Sequence, residues 1–262
     1  MPTFAYLVTI HNSMHCLAGT LQSLQMSKSY DSQIIAILDG CTDKSEQIVD
    51  DHSHDSGQEV IKLYTPDVHE ILALNAGLRY IQERHRATYV VTIQDDLWQL
   101  DPDFEALTLR MFHDNSRLVH LVYRLGANYT PNMDIIDMCE NYCGVGFGTT
   151  LALHQYTKRM IGGKSPSTIP MWFMDKYGLL DENLAPRGHD DTELSLRALT
   201  LGYETMVLAT QYRSDLSWGG TRRKVQDTIG QDARNGAYIK AKYQDLLNNF
   251  QITDDYREIR QL

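Results

Sequence analysis

Strand-like and helix-like segments alternate four times with short connections between Phe4 and Asp96, which predicts an α/β fold with right-handed crossovers and a mostly parallel central sheet flanked by helices. Two details support this. The run Tyr89-Val90-Val91-Thr92-Ile93 is β-branched without polar alternation, as in a strand covered on both faces. Three strand-like runs also end in polar residues, His11 and Asn12, Asp39 and Gly40, Asp95 and Asp96, at the carboxyl edge where open α/β sheets bind ligands.

In chain order, Phe4 to Ile10 reads as the first strand, and Asn12 or Ser13 can cap a helix with Leu17, Leu21 and Leu24 at helical spacing. Ile34 to Leu38 is the second strand and ends in the Asp- and Gly-rich turn Asp39-Gly40-Cys41-Thr42-Asp43. A short helix carrying Ile48 and Val49 follows. Val60 to Leu63 is the third strand, and Pro66 precedes a helix with Leu74, Leu78 and Ile81 on one face. After the fourth strand, Phe104, Leu107 and Met111 mark a helix and Leu118 to Tyr123 a strand. The stretch 124–150, with Gly144, Gly146 and Gly148 at alternate positions, reads as a loop without a dinucleotide or P-loop fingerprint. Leu194, Ala198 and Leu201 define a helix closed by Gly202 as C-cap, Thr205 to Ala209 the last strand, and the segment beyond about 222 one or two helices.

The 262 residues allow one large α/β domain, expected over 1–220 with halves 1–123 and 124–220, and a helical extension over 221–262. A net charge of -10 and the lack of a Lys/Arg-rich block argue against a nucleic-acid partner, although Arg222-Arg223-Lys224 could meet one phosphate-bearing ligand. No run approaches the roughly 18 to 20 apolar residues that span a bilayer, and the start Met1-Pro2-Thr3-Phe4 lacks the regions of a secretory signal. A cytoplasmic protein is expected, with no integral membrane segment and at most peripheral membrane association. Cys16, Cys41, Cys139 and Cys143 are too few and too unevenly spaced for a disulfide framework and read as free thiols.

Two acidic stretches remain to be explained. Asp95 and Asp96 repel each other, which a hard divalent cation would relieve; a solvated acidic turn is the alternative. Asp190 stands three residues before Glu193, a capping-box-like spacing, and acids favour a helix N-terminus. Capping accounts for one Asp of the Asp190-Asp191 pair and leaves the other for chemistry.

Together these segments resemble the family 2 glycosyltransferases between about residues 5 and 205. Leu7-Val8-Thr9-Ile10-His11-Asn12-Ser13 looks like the family's opening strand, Ile37-Leu38-Asp39-Gly40-Cys41-Thr42-Asp43 like its nucleotide-binding turn, and Leu74-Asn75-Ala76-Gly77-Leu78 like its Arg-Asn-x-Gly helix start. Gln94-Asp95-Asp96 falls where the family places an Asp-x-Asp metal motif. Gly178-Leu179-Leu180-Asp181-Glu182 with Asp190-Asp191-Thr192-Glu193-Leu194-Ser195-Leu196-Arg197 matches its late acidic pair of motifs and is the most specific signal. Leu38 and Leu74 depart from the usual Asp and Arg. In the metal motif either Gln94 holds the first position and Asp96 the second, or Asp95 the first and Leu97 the second.

The resemblance implies a Rossmann-like GT-A fold and inverting, metal-dependent transfer of a sugar from a UDP-, GDP- or dTDP-sugar to the hydroxyl of a glycan or other acceptor, as in polysaccharide biosynthesis. It makes 1–123 the nucleotide-sugar half and 124–220 the acceptor half. Asp191 would be the base, and Asp96 with Asp95 would hold Mg or Mn. Thr9, His11, Asn12, Asp39, Gly40, Asn75 and Asp95 would contact the donor. Asp190 and Trp218 would face the acceptor, with Tyr142, Phe147, Trp172 and Phe173 as further aromatic candidates. Asp215 or Ser217 would replace the late His ligand of some members. A non-catalytic protein that binds a nucleotide sugar or glycan is the competing expectation; a nucleotidyltransferase ranks last, because His11-Asn12-Ser13-Met14-His15 is not a Gly-rich basic loop.

Overall fold

The computed structural model describes residues 3–28, 31–84, 87–144, 146, 148–163, 165–214 and 228–262. In chain order the elements are β1 (Phe4–Ile10), α1 (Leu17–Ser27), β2 (Ser32–Asp39), α2 (Ser45–Ser56), β3 (Val60–Thr65), α3 (His69–Arg84), β4 (Tyr89–Gln94), β5 (Leu97–Gln99) and α4 (Phe104–Asp114). They continue with β6 (Leu118–Val122), β7 (Leu125–Tyr129), β8 (Ile135–Asn141), β9 (Thr149–Leu151), β10 (Gln155–Arg159), β11 (Ile161–Gly163), β12 (Ser167–Pro170) and α5 (Met171–Tyr177). Last come α6 (Asp190–Thr200), β13 (Glu204–Leu208), β14 (Tyr212–Ser214), α7 (Thr228–Lys242), α8 (Gln244–Asn249) and β15 (Ile259–Gln261). The fold is mixed α/β, with a central sheet flanked by helices. It divides into two compact units, one of Met1–Ala106, Ile169–Arg187 and Tyr212–Gln226, the other of Leu107–Thr168, Gly188–Gln211 and Asp227–Leu262.

In the first unit β1 pairs in parallel with β2 and β4, and β2 with β3, which sets Thr9 opposite Ile37 and Gln94. Phe4, Leu7, Ile10, Ile35, Ile37, Val90 and Val91 are wholly buried. Leu17, Leu21 and Leu24 of α1 and Leu74, Leu78 and Ile81 of α3 supply the buried faces of their helices, each side chain contributing about 1.5–3 kcal/mol of transfer free energy. Gly77 lets α3 settle on the sheet, because a Cβ there would lie 2.7 Å from the Ile37 Cδ1 methyl. Asp95 and Asp96 form the tight turn from β4 into β5, whose partner is the antiparallel β14.

In the second unit the pairings are mixed. β13 runs parallel to β6, while β10 lies antiparallel to β13 and β15, and β12 antiparallel to β6. A smaller sheet of order β11-β7-β8-β9 occupies most of the stretch expected to be a loop. Its strands escape a periodicity reading because burial runs in blocks instead of alternating: β11 is buried throughout, and β8 begins exposed, with Ile135 and Ile136 at 51% and 44%, and ends buried. β13 is likewise not the last strand, and the C-terminal segment is not wholly helical: after α7 and α8 it ends in β15, an edge strand too brief to leave a pattern. Gly202 follows α6 with φ +81°, as a C-cap glycine should.

The four cysteines are free thiols, Cys16 and Cys139 buried. Among the described residues no helix is long and apolar enough to cross a membrane.

Candidate active site

At the carboxyl edge of the first unit's sheet, three strand ends are tied into one polar network. The His11 backbone N–H donates to Asp95 Oδ2 over 3.1 Å, and the Ser13 hydroxyl donates to the same oxygen. His11 Nδ1 lies 2.6 Å from the Asp39 carbonyl oxygen and 3.7 Å from an Asp67 carboxylate oxygen. Asn12, at φ +52°, accepts at its Oδ1 from the backbone N–H groups of Thr42 (2.7 Å) and Asp43 (3.2 Å), pinning the turn after β2. Thr9 is partly exposed, one residue inside the end of β1. Gly40, at φ +59°, occupies a conformation suited to glycine, and a Cβ there would lie 2.6 Å from Asp67 Cβ.

Asp39 is buried and its carboxylate is engaged. Its oxygens accept from the Thr65 hydroxyl at 2.7 Å and from the Val68 and His69 N–H groups at 2.8 Å each, so it caps the entry to α3. Asn75 is also occupied: its amide donates to the Leu180 carbonyl and to Glu182 Oε1 at 2.9 Å each and accepts from the Leu180 N–H at 3.0 Å. Arg79 meets the same Glu182 oxygen. The two motif segments around Asn75 and Glu182 are thus clasped together within this unit.

Burial pushes the Asp95 carboxyl up to about 6, with the adjacent Asp96 charge acting in the same direction against the hydrogen bonds from Ser13 and His11. Gln94 Nε2 is 3.4 Å from a Glu70 carboxylate oxygen. Desolvated, mutually repelling carboxylate oxygens are a donor set that suits a hard divalent ion, which would offset both costs. His11, Asp39 and Asp67 bring one ligand atom each within 4.8 Å of one another, a grouping that the sequence reading did not single out. Asp67 and His69, at the start of α3, adopt φ +52° and +68°, where Asp and His are among the residues most tolerated.

In the second unit Asp191 lies in the first turn of α6, partly exposed. Its Oδ1 accepts from the Thr192 N–H at 2.7 Å, and its Oδ2 lies 3.7 Å from where a Cβ on Gly163 would be. Its charge, after burial, helps push the Tyr129 hydroxyl pKa upward. The expected capping pair does not form. His189 is the N-cap, at φ +65° and without a side-chain cap bond, and Asp190 is the first helical residue. The Glu193 carboxylate is wholly buried and turns away to Lys242 Nζ (2.8 Å), the Tyr243 hydroxyl (2.7 Å) and Arg197 (3.3 Å).

Of the aromatic candidates, Phe173 is core, whereas Trp172 and Tyr142 are exposed. Trp218 lies outside the described residues, as do Phe147, Asp215, Ser217 and Arg222-Arg223-Lys224.

The model of the family described as Glycosyl transferase family 2 matches residues 6–141. No curated protein matches the sequence. Among solved structures, S. aureus TarS 1–349 in complex with UDP-GlcNAc is 13% identical with a TM-score of 0.63, over 95% of this chain and 68% of that one. GalNAc-T7 with UDP, GalNAc and Mn2+ is 14% identical with a TM-score of 0.65, over 89% and 47%. The Pyrobaculum calidifontis mannosyltransferase PcManGT in complex with GDP-Man and Mn2+ is 13% identical with a TM-score of 0.58, over 94% and 71%. The chain spans 40% of the longer S. aureus TarS chain it also matches. At these identities the likeness is one of fold.

Proposed function

Because the chain belongs to glycosyl transferase family 2, we propose that it transfers a sugar from a nucleotide-diphosphate sugar to an acceptor hydroxyl with inversion. The observation that carries this reading is the polar edge inside the matched segment, where Asp95, Ser13 and His11 interlock beside the Asp96 turn. A divalent cation bound with the donor diphosphate would supply the positive charge that the adjacent Asp95 and Asp96 carboxylates call for. Asp96, with Asp95, would hold that cation, whose contribution is to neutralise the departing nucleoside diphosphate. Asn12 and Gly40, which shape the turn after β2, and Thr9 and His11 belong to the donor side. Asp39 and Asn75 support that side from behind, through the bonds that fix α3 and the loop at Leu180.

Asp191 takes the proton of the acceptor hydroxyl as its oxygen attacks the anomeric carbon. The bond from that carbon to the diphosphate breaks with its electron pair leaving on the diphosphate. Asp190 and Trp218 are assigned to the acceptor side. Structures of similar fold hold UDP-GlcNAc, UDP with Mn2+, and GDP-Man with Mn2+, which sets the first donors to try.

The test is incubation with Mn2+ or Mg2+ and a panel of UDP-, GDP- and dTDP-sugars, reading nucleoside diphosphate release. Turnover in one member supports transfer; no turnover and no binding across the panel overturns it. Binding without turnover selects the second reading, a nucleotide-sugar-binding protein, which the departures at Leu38, Leu74 and Gln94 favour. Asp191→Asn is expected to abolish turnover and keep donor binding, and retained turnover would refute the base assignment.

A further inference from the structure

The Ser195 hydroxyl, one turn after Asp191 on α6, sits at a junction of three hydrogen bonds. It donates to the Asp191 carbonyl oxygen at 2.8 Å and accepts from the Gly162 N–H of β11 at 3.0 Å. Its third neighbour is His120 Nδ1 on β6, also at 3.0 Å. Ser195 has one proton and spends it on a carbonyl that can only accept, so His120 must donate through Nδ1–H. That assigns the tautomer: Nδ1 carries the proton and Nε2 is bare. Nε2 is buried with no hydrogen-bond partner among the described residues, a state that costs stability. Burial and then the Arg197 charge keep the ring neutral by holding its pKa down at about 3.

A histidine that leaves one buried nitrogen unsatisfied to present the other to a serine invites the question of what that serine gains. With both its lone pairs filled by fixed donors, its proton has one destination, the Asp191 carbonyl. The first turn of a helix is its least restrained part, since its own N–H groups lack intrahelical partners. Here the turn is fastened to β11 and β6. Gly162 and Gly163 allow it: a Cβ at Gly162 would lie 2.7 Å from Val122 Cγ1, and Gly163 is the residue above which Asp191 Oδ2 stands.

We propose that Ser195 and His120 are positioning residues for Asp191, holding the first turn of α6 in register over β11 so that the carboxylate stands above Gly163. This rests on the reading of Asp191 as the base, and the experiment separates the two. With whichever of UDP-GlcNAc, UDP-GalNAc or GDP-Man is turned over, Ser195→Ala and His120→Leu are expected to lower kcat by about 10- to 100-fold while the donor KM stays within about twofold. Ser195→Thr, which keeps the hydroxyl, and His120→Asn, whose Nδ2 can stand in for Nδ1, are expected to recover most of the loss. If Ser195→Ala lowers the melting temperature but leaves kcat unchanged, or if Thr and Asn fail to rescue, the proposal is overturned. If Asp191→Asn retains turnover, the base assignment fails instead. A readout free of turnover is the 15N spectrum of the histidine rings, where His120 should keep a protonated Nδ1 and a bare Nε2 from pH 5 to 8. The opposite tautomer would refute the junction. The 13Cγ resonance of Asp191 should move in Ser195→Ala and return in Ser195→Thr, and an unmoved resonance would show that the hydroxyl does not position it.

Discussion

A single buried ring sets an expectation for how stability depends on acidity. The His120 pKa falls from its ordinary 6.5 to about 3 on folding. Between those values the unfolded chain binds a proton that the folded chain does not, so this residue's contribution is intact above pH 6.5 and is lost as pH falls, at about 1.4 kcal/mol per pH unit. Chemical unfolding of the His120→Asn variant between pH 7 and 4 should show a flatter acid limb than the unaltered chain, and parallel limbs would sink the assignment. Nothing in the sequence marked this histidine, one of ten scattered along the chain. Its partner is a hydroxyl on another element, Ser195 of α6, and a contact between elements leaves no local spacing to read. The acidic residues were legible because adjacent like charges are locally anomalous. What each would touch was not: Asp39 caps a helix that begins 30 residues later, through the His69 N–H.

Among the elements, those with uninterrupted apolar faces were readable, from β1 through α3 and again at α6, because burial on one face imprints a period. The small sheet of β7, β8, β9 and β11 left none, since its strands are short and their burial does not alternate. Two side chains that fasten elements invite measurement. Asn75 joins α3 to the loop at Leu180, and Asn75→Ala leaves the Leu180 N–H and carbonyl without their partner. A loss of about 2–4 kcal/mol is expected in urea unfolding, whereas a change under about 0.5 kcal/mol would mean the clasp adds nothing. Glu193 joins α6 to Lys242 and Tyr243 at the junction of α7 and α8. Glu193→Leu should cost about 3 kcal/mol by leaving buried partners unmatched and should raise proteolytic cleavage within 228–249. Unchanged protection there would show that α7 and α8 hold their place by other contacts.

At the level of the whole molecule, the α/β class was legible from alternation alone, and the family from motifs spread over the chain. The interleaving of its segments was not, because it is a property of chain path. A ligand that binds only the folded state raises stability by mass action, by about 2.7 kcal/mol at a hundredfold excess over its Kd. UDP or GDP with Mn2+ should therefore raise the melting temperature, and a chelator should cancel most of the gain; a flat response to both nucleotides would remove the metal-dependent reading of the acidic edge. The strand β15 has a further consequence. It completes the edge beside β10 in a unit assembled from 107–168, 188–211 and 227–262. During synthesis β10 must wait for about a hundred more residues to leave the ribosome before its neighbour exists. In that interval its open edge is a docking line for stray strands, so the nascent chain is exposed to aggregation from the emergence of β10 until β15 follows it.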